Sequence, residues 1–279
     1  MDRAYVDRKT EAAVRAHIHP LVTIDDRSAE WPVRPIGNAW SRQYYGGDFH
    51  LLEPPPDRPA VSLVFVQTRD GNTGADNPGD LGGGPTDLHL IYEGLSRVAA
   101  DAVLAGASTV GRTVFFTVWH PELVSLRHEL GLARHPAQIV ASKDGRLDLD
   151  NLIFNEPEVP VFVLAGAGCL TRHAPAFTRR PWITIVPMDA AGLSGAMARL
   201  RADYGIKRIS AIGGRTVATA LIDQRVVQDV YLTTSAIDGG EPNTPFYIGR
   251  QSPIYSTIVR KTETETAEPI TFEHLALGV

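Results

Sequence analysis

Short apolar runs recur along most of the chain, separated by amphipathic stretches. Each run is rich in valine, isoleucine or leucine, and they occupy residues 61–66, 102–105, 138–141, 161–165, 182–186, 208–212 and 229–234. Runs of this length without polar alternation predict strands that are buried on both faces. Parallel strands of that kind need crossover helices that cover the sheet, so this feature restricts the chain to layered α/β folds.

Helical spacing appears between the predicted strands. One apolar face is formed by Leu88, Ile91, Tyr92, Leu95 and Val98, and a second by Leu193, Met197, Leu200 and Tyr204. Each face predicts a helix that packs on the sheet. The tail differs, because segments 254–259 and 270–275 are two strand-like runs with no helical segment between them. We expect these two to pair antiparallel at one end of the sheet.

The first part of the chain predicts an extension rather than part of this pattern. A short helical stretch covers about residues 3–17, and a proline cluster at 53–59 has the composition of an extended linker. We therefore divide the chain into an N-terminal extension and linker, residues 1–58, and one α/β domain, residues 59–279. The glycine-rich segment 70–85 predicts a mobile loop over a site.

Charge and cysteine content narrow the function classes. The formal net charge is −5 with 27 basic and 32 acidic residues, and no block of like charge occurs, which argues against nucleic acid or an anionic membrane as partner. The single cysteine, Cys169, excludes an intrachain disulfide and a zinc site built on cysteine pairs. No signal core or run of roughly 20 apolar residues is present, so we expect a cytoplasmic protein. His17 and His19 lack a third ligand in the sequence, and we predict no metal site.

Three strand ends run into glycine-containing turns that open helical segments: 104–110, 164–168 and 211–216. Such turns direct backbone N–H groups and a helix N-terminus toward a phosphate, although tight turns require glycine in any α/β protein. An ordinary dinucleotide fingerprint at Gly166 and Gly168, with Asp189 as the ribose carboxylate, is weakened by Pro175 and Pro181 in the expected crossover helix. Hydrolase motifs are absent from the sequence.

Several ordered motifs resemble the bacterial riboflavin-biosynthesis reductase domain, a branch of the dihydrofolate-reductase-like superfamily. Residues 100–110, ADAVLAGASTV, are the most specific match, to the family's signature Ala-Asp-Ala-Val-Leu-Val-Gly-Ala-x-Thr-Val. Residues 68–71, TRDG, are similar to its Ser-Leu-Asp-Gly turn, and 139–142 to its strand ending in Asp-Ser. Residues 205–216, GIKRISAIGGRT, are similar to its segment containing Glu-Gly-Gly-x-Thr.

The resemblance implies a three-layer α/β/α fold with a central mixed, mostly parallel sheet and a C-terminal antiparallel strand pair. It also implies an NADPH-dependent reductase that acts on a flat pyrimidine or pterin and forms a homodimer. The cofactor residues would be Gly106, Ala107, Thr109, Val110, Ser142, Lys143, Gly213, Gly214, Arg215 and Thr216. In that picture Ser142 and Lys143 meet the 2′-phosphate, and residues 213–216 cradle the pyrophosphate.

The chain departs from the family on the substrate side. The family's glutamate before the glycine pair is Ile212 here, and the serine of its turn is Thr68. The segment 112–122 is also unlike the family's loop, and it brings a cation, aromatic rings and an imidazole together. We therefore assign Thr68, Arg112 and Trp119 to a different substrate pocket, with helix capping by His120 and core packing by Trp119 as the alternative.

Hydride transfer also needs a proton source. Asp70 and His120 are the candidate catalytic residues, because one follows the first strand and the other has an ordinary pKa of about 6.5. Asp70 is equally suited to forming the Asp-Gly turn, and solvent is an alternative donor. Two other functions stay open: a non-enzymatic NADP(H)-binding protein, favoured by the lost glutamate, and a reductase that uses a flavin or deazaflavin.

Overall fold

A computed structural model describes residues 1–75, 78–111, 114–239, 244–250 and 253–278. The helices are α1 (Arg3–Arg15), α2 (Ala39–Tyr45), α3 (the π-helix Thr86–Leu95, which continues as the short α-helix Ser96–Val98), α4 (Pro121–Glu129), α5 (Ala167–Thr178), α6 (Gly192–Tyr204) and α7 (Arg215–Asp223). The strands are β1 (Leu21–Asp26), β2 (Val33–Ile36), β3 (Phe49–Leu52), β4 (Ala60–Gln67), β5 (Ala102–Gly106), β6 (Ala137–Ser142), β7 (Val161–Ala165), β8 (Ile183–Pro187), β9 (Arg208–Ala211), β10 (Val227–Thr234), β11 (Ile254–Glu263) and β12 (Thr271–Gly278).

The main sheet of the described chain has ten strands in the order β1-β11-β12-β10-β4-β9-β5-β6-β7-β8. The strands from β10 to β8 in this order are parallel, and β12, β11 and β1 complete the other edge antiparallel. Every predicted strand is present, and the tail forms the predicted antiparallel pair. The mixed, mostly parallel sheet inferred from the resemblance is therefore confirmed.

Helices cover both faces of the sheet and enclose two apolar cores. On one face, the core contains α3 residues such as Leu90 and Ile91 together with Leu123 of α4 and Cys169 of α5. On the other face, α6 and α7 contribute a separate core that includes Met197 and Leu221. The structure thus has the three layers expected.

The segment before β4 is integrated into this architecture. Strand β1 pairs antiparallel with β11, and β2 and β3 form a separate two-stranded sheet. The Tyr45 and Phe49 rings of this segment are each 1% exposed and pack on Phe272 and Tyr231 of the main sheet. The division of the chain at residue 58 stays a prediction, while the packing joins the two parts into one layered unit.

Helix α5 corrects one argument from the sequence. Pro175 was expected to oppose a helix after Gly166, yet α5 runs through it from Ala167 to Thr178. Proline removes one intrahelical hydrogen bond, and a helix tolerates this when its other residues pack well. Here Cys169 and Phe177 of the same helix are buried in the core.

Among the described residues, none of the helices has both the length and the apolar character that a membrane-spanning segment requires.

Candidate functional site

Two glycine turns lie side by side at the carboxyl edge of the sheet. Leu104 of β5 is in register with Ala211 of β9, and the Ile212 N–H donates to the Leu104 carbonyl at 2.9 Å. Gly106 lies two residues after Leu104, and Gly213 lies two residues after Ala211. A Cβ on Gly213 would lie 3.3 Å from the Gly106 nitrogen, so the two backbones are nearly in contact. Two turns that are 107 residues apart in sequence (213 − 106) therefore form one continuous backbone surface.

The second turn leads directly into α7. This helix begins at Arg215 with Gly214 as its N-cap, and no side chain caps it. The N–H groups of a first helical turn have no intrahelical acceptor, and they carry the positive end of the helix dipole. A Cβ on Gly214 would meet no atom within 4 Å, so the space in front of these N–H groups is open. The turn thus has the geometry of an anion site.

Of the predicted cofactor residues, those on the first turn are in place beside the second. Ala107 N–H donates to the Ala141 carbonyl of β6 at 3.1 Å, and Thr109 N–H closes the turn on the Gly106 carbonyl at 2.9 Å. Val110 is anchored because its carbonyl accepts from the Asn151 side chain at 3.1 Å. Arg215 and Thr216 lie in the first turn of α7.

The end of β6 lies one strand further along the same edge. Ser142 is buried there, whereas Lys143 is exposed. The Ser142 carbonyl accepts from Gly166 N–H at 3.2 Å, and a Cβ on Gly166 would lie 2.2 Å from the Lys143 carbonyl oxygen. Gly166 is therefore required for the close approach of the two loops, which is a structural role. Ser142 contributes little accessible surface to a ligand, and Lys143 projects from the edge.

An open cleft of about 410 Å³ adjoins the first glycine turn. Six of the residues that line it are Ala107, Val110, Arg146, Asn151, Arg172 and His173. We call it the arginine cleft. Both arginines are exposed, and within the described chain neither has an ion-pair partner. Asp148 also lines the cleft, so it offers two guanidinium groups against one carboxylate.

Sequence reasoning missed Arg146 and Arg172. Arg146 lies three residues beyond Lys143 in the loop after β6, and Arg172 lies on α5. The two come together because the loop turns back at Gly145, whose φ is +68° and whose Cβ position is occupied by the Cys169 backbone. The Gly145 carbonyl also contacts the His173 Nε2 atom at 2.5 Å. A guanidinium pair of this kind suits a phosphate.

The turn after β4 uses most of its polar groups internally. The Thr68 hydroxyl donates to the Asp70 carboxylate and accepts from the Asn72 N–H, the latter at 3.2 Å. Thr68 is 1% exposed, so its assignment to the substrate is corrected to turn formation. Asp70 is exposed at the carboxyl edge of the sheet, and a catalytic role for it stays a prediction.

His120 has the alternative role of a helix cap, and its assignment as a catalytic acid stays a prediction. Its Nδ1 accepts the Glu122 N–H at 3.3 Å at the start of α4, and its ring stacks on Trp40 with a centroid distance of 3.9 Å. Burial, together with the neighbouring His89, lowers the pKa of His120 to about 4.

The other substrate candidates in segment 112–120 do not form a pocket in the described structure. Trp119 is 1% exposed and packs edge-on against Tyr5 of α1 at 5.7 Å, so it is a core residue and its assignment to the substrate is wrong. Arg112 lies outside the described residues.

A buried acid occupies the same edge, and the sequence analysis did not single it out. Asp87 lies in the first turn of α3 and is 8% exposed. Burial raises the pKa of this carboxyl to about 6, against the opposing effect of the Thr233 hydroxyl. A carboxyl that changes charge near neutral pH is a common property of functional sites. Its position beside a glycine-rich loop is the signal that sequence reasoning left unused.

The model of the family described as "RibD C-terminal domain" matches residues 59–269. Comparison with curated protein sequences gives no match.

Solved structures share the fold at low sequence identity. A pyrimidine reductase-like protein from Corynebacterium diphtheriae is 18% identical with a TM-score of 0.61, over 80% of this chain and 93% of that one. RibD of Acinetobacter baumannii is 16% identical with a TM-score of 0.59, and the match covers 80% of this chain but 59% of RibD. The riboflavin biosynthesis reductase Rib7 of Saccharomyces cerevisiae is 15% identical with a TM-score of 0.52, over 80% and 92% of the two chains.

Proposed function

The chain belongs to the RibD C-terminal domain family, and from that membership we propose that it is an NADPH-dependent reductase that transfers a hydride to a small heteroaromatic or imine substrate of the pyrimidine or pterin type. The observation that carries the proposal is the continuous surface formed by the glycine turns at Gly106 and Gly213. The names of the C. diphtheriae and S. cerevisiae proteins, which both include the word reductase, agree with it.

The residues at the carboxyl edge fit an extended dinucleotide. The open space at Gly214 and the first turn of α7 suit a pyrophosphate, because backbone N–H groups and the helix dipole both favour an anion there. A bound NADPH would supply a hydride from its nicotinamide ring. The protein's part is to hold the acceptor carbon at near-attack distance and to exclude water.

The arginine cleft suits the adenosine end of the cofactor. It lies next to Ala107 and Val110, on the side of the first turn that faces away from β9 and α7. Arg146 and Arg172 would pair with the 2′-phosphate that distinguishes NADPH from NADH. This extends the phosphate site predicted at Ser142 and Lys143, since Ser142 is buried and Lys143 is a single cation. We also keep the homodimer expected from the resemblance as part of the proposal.

Calorimetric titration with NADPH and NADH tests the cofactor. The chosen variant is Gly214→Leu, because a Cβ there meets no protein atom within 4 Å and the longer side chain is expected to enter the proposed pyrophosphate space. Gly106→Trp is less informative, since a Cβ on Gly106 already lies 2.8 Å from Val217 Cγ2. We expect NADPH binding to wild type and at least a tenfold loss in the variant, with an unchanged thermal unfolding midpoint. Wild-type protein that binds neither nucleotide contradicts the proposal.

A double variant tests the discrimination between the two nucleotides. Arg146→Gln with Arg172→Gln should weaken NADPH binding by tenfold or more and leave NADH binding within about twofold, because one charged pair to phosphate contributes about 1.5–3 kcal/mol. Arg179→Gln is the matched control, since this exposed arginine lies just after α5 and outside the cleft. Equal losses for both nucleotides would assign the arginines to another group.

A further inference from the structure

A small cavity lies at the amino edge of the parallel strands, opposite to the edge that carries the glycine turns. Its volume is about 20 Å³, and it is enclosed by the beginnings of β4 and β9, by β10, by the end of α3 and by β3 from the segment before β4. A space of this size admits one water molecule or one monatomic ion. The cavity is separate from the proposed cofactor site, which lies at the other ends of the same strands.

The alternation of side chains along the strands directs polar groups into this cavity. Ile209 of β9 packs in the core under α6 and α7, so Arg208 and Ser210 on either side of it face the α3 layer. Ser62 of β4 is in register with Ser210, and both line the cavity together with Arg208 and Tyr231 of β10. Among the described residues that line it, none carries a carboxylate.

One hydroxyl group at the cavity has no partner. Ser210 is 1% exposed, and its Oγ has no hydrogen-bond partner among the described residues. The neighbouring hydroxyls are engaged, because Ser62 and Tyr231 are hydrogen-bonded to each other and Ser96 donates to the Tyr92 carbonyl at 3.0 Å. A buried hydroxyl without a partner is costly, so an acceptor in the cavity would stabilise this arrangement.

Arg208 brings a partly desolvated cation to the same cavity. Its Nη1 donates to the Leu52 carbonyl of β3. Its Nη2 lies 3.8 Å from the carboxylate of Glu53, whose side chain is 58% exposed, so this ion pair neutralises the guanidinium only weakly. Burial lowers the pKa of Arg208, which shows that the charged form lacks part of its solvation. An anion in the cavity would supply the missing counter-charge.

Two further charged groups act on Arg208 from neighbouring strands. Arg34 of β2 adds positive charge, and Asp229 of β10 opposes it. Asp229 is 2% exposed and does not line the cavity, and its Oδ2 lies 2.7 Å from His274 Nε2, so this carboxylate is engaged with an imidazole. The charged group in contact with the cavity is therefore the cation.

We propose that this cavity binds a monovalent anion of the size of chloride, and that the anion links the segment before β4 to the sheet. The anion accepts hydrogen bonds from Ser210 Oγ and from the Arg208 guanidinium. The same guanidinium holds the Leu52 carbonyl, so the bound anion strengthens the contact between β9 and β3. A water molecule would also accept from Ser210 but would leave Arg208 without a counter-charge, so the two occupants differ in their response to salt.

Thermal unfolding in sodium chloride and in sodium gluconate at equal ionic strength tests for the anion. Gluconate is too large for this cavity, while screening of surface charges is the same in both salts. We expect the unfolding midpoint to rise with chloride along a saturating curve, because a ligand that binds only the folded state stabilises it by mass action. Line broadening of chloride-35 in NMR spectra of the folded protein gives the affinity independently of unfolding.

Ser210→Ala separates a bound anion from a general effect of salt. The variant loses a hydroxyl that has no partner, so in gluconate it should be at least as stable as wild type, whereas it should bind chloride at least tenfold more weakly. Ser235→Ala is the matched control. The Ser235 hydroxyl is also buried without a partner among the described residues, but it lies beyond the end of β10 and beside Gly82, away from the cavity. This variant should keep the wild-type response to chloride.

Bromide locates the anion directly. Crystals grown in sodium bromide should give an anomalous peak in the cavity, within hydrogen-bond distance of Ser210 Oγ. An ordered water in the cavity without an anomalous peak overturns the proposal. It is also overturned if chloride and gluconate give the same midpoint, or if Ser210→Ala responds to chloride as wild type does. A bromide peak without a saturating response in solution shows binding at crystal concentration only and overturns it as well.

Discussion

At the scale of single residues, two buried ionisable groups oppose each other in their dependence on pH. His120 is held neutral between the Trp40 ring and the first turn of α4, and burial lowers its pKa to about 4. Asp87 is buried without a cation, and burial raises its pKa to about 6. The folded state therefore resists charging at both sites, and because both groups act between about pH 4 and 6.5, their effects on stability run in opposite directions over the same interval.

His120 should make the protein sensitive to mild acid. Its folded pKa of about 4 lies below the ordinary value of 6.5, so its contribution is complete above pH 6.5 and is lost as pH falls toward 4. Asn is a good N-cap, so His120→Asn keeps the cap and removes the titration. We expect wild type to lose about 1 kcal/mol more than the variant in unfolding free energy between pH 6 and 5, measured by urea unfolding. His135 is present in both wild type and variant. If the unfolding free energies of the two proteins change in parallel with pH, His120 does not contribute to the acid sensitivity.

Asp87 should cost stability at neutral pH. Its folded pKa of about 6 exceeds the ordinary 3.8, so the folded state is favoured at low pH and loses stability as pH rises through this interval. Asp87→Asn should gain about 1–3 kcal/mol relative to wild type between pH 4 and 7. Glu93→Gln should change in the other direction at pH 7, because His89, Arg97 and Lys9 lower the pKa of Glu93. A wild-type curve that is flat across this range would contradict the prediction.

At the scale of elements, β1 is attached to the sheet through one buried cation. Lys261 of β11 is 3% exposed; its Nζ donates to Thr23 Oγ1 of β1 at 2.6 Å and to the Gly46 carbonyl at 3.0 Å. The same ammonium lies 4.6 Å from the centre of the Tyr45 ring. One side chain therefore joins β1, the end of α2 and β11, and it supplements the antiparallel ladder between the strands.

Removing this cation should loosen β1 selectively. Lys261→Met keeps the apolar stem but leaves two acceptors without a donor, so we expect a loss of about 1–3 kcal/mol. Amide hydrogen exchange should rise in β1 before it rises in β4 or β5. Arg260→Met is the control, because Arg260 pairs with Glu273 at the surface, and exposed pairs contribute about 0–1 kcal/mol. Similar effects of the two variants would contradict a special role for Lys261.

The strands at the centre of the sheet could be predicted from the sequence better than the strand β1 at its edge. Runs such as 161–165 are apolar at every position because both faces are covered, and this pattern identifies a strand without other information. Strand β1 has five exposed residues after Leu21, so its pattern carries no such signal, and its pairing depends on a lysine about 240 residues away. The long-range contact decides that element, and local propensity does not.

The same contrast holds within the candidate site. The glycine turns could be located because the close approach of Val217 leaves little room for a side chain at Gly106 or Gly213, and the residue type records this. The roles of Trp119 and His120 could not be predicted from the sequence. The rings that cover them, Tyr5 and Trp40, come from the N-terminal segment. Asp87 and the two arginines of the cleft became visible only when burial and neighbours were known.

At the scale of the whole molecule, the region matched by the family model begins at residue 59 and leaves out aromatic groups that the core needs. Tyr45, Phe49 and Leu21 are each 1% exposed against strands of the main sheet. Burial of one such side chain contributes about 1.5–3 kcal/mol. Three of them approach the total stability of an ordinary domain, about 5–15 kcal/mol.

A protein that consists of residues 59–279 should therefore fail to reach native stability. We expect aggregation, or a midpoint of thermal unfolding well below that of the full chain, because β11 and the Phe272 face become exposed. Adding residues 1–58 as a separate peptide should restore part of the lost stability. A truncated protein that unfolds at the temperature of the full chain would establish residues 1–58 as an independent extension.

The order of strands also has a consequence for synthesis. Strand β1 leaves the ribosome early, but its partner β11 begins at Ile254 and is fixed by β12, which ends at Gly278. Strands β5 to β8 can pair in order as they emerge, and β4 waits for β9 and β10, whereas β1 and the aromatic residues behind it wait for β11 and β12. Contacts of such large sequence separation form slowly. Release of β11 and β12 is therefore the event that lets β1 join the sheet, and a nascent chain stalled before residue 254 should carry an unpaired β1 available to chaperones.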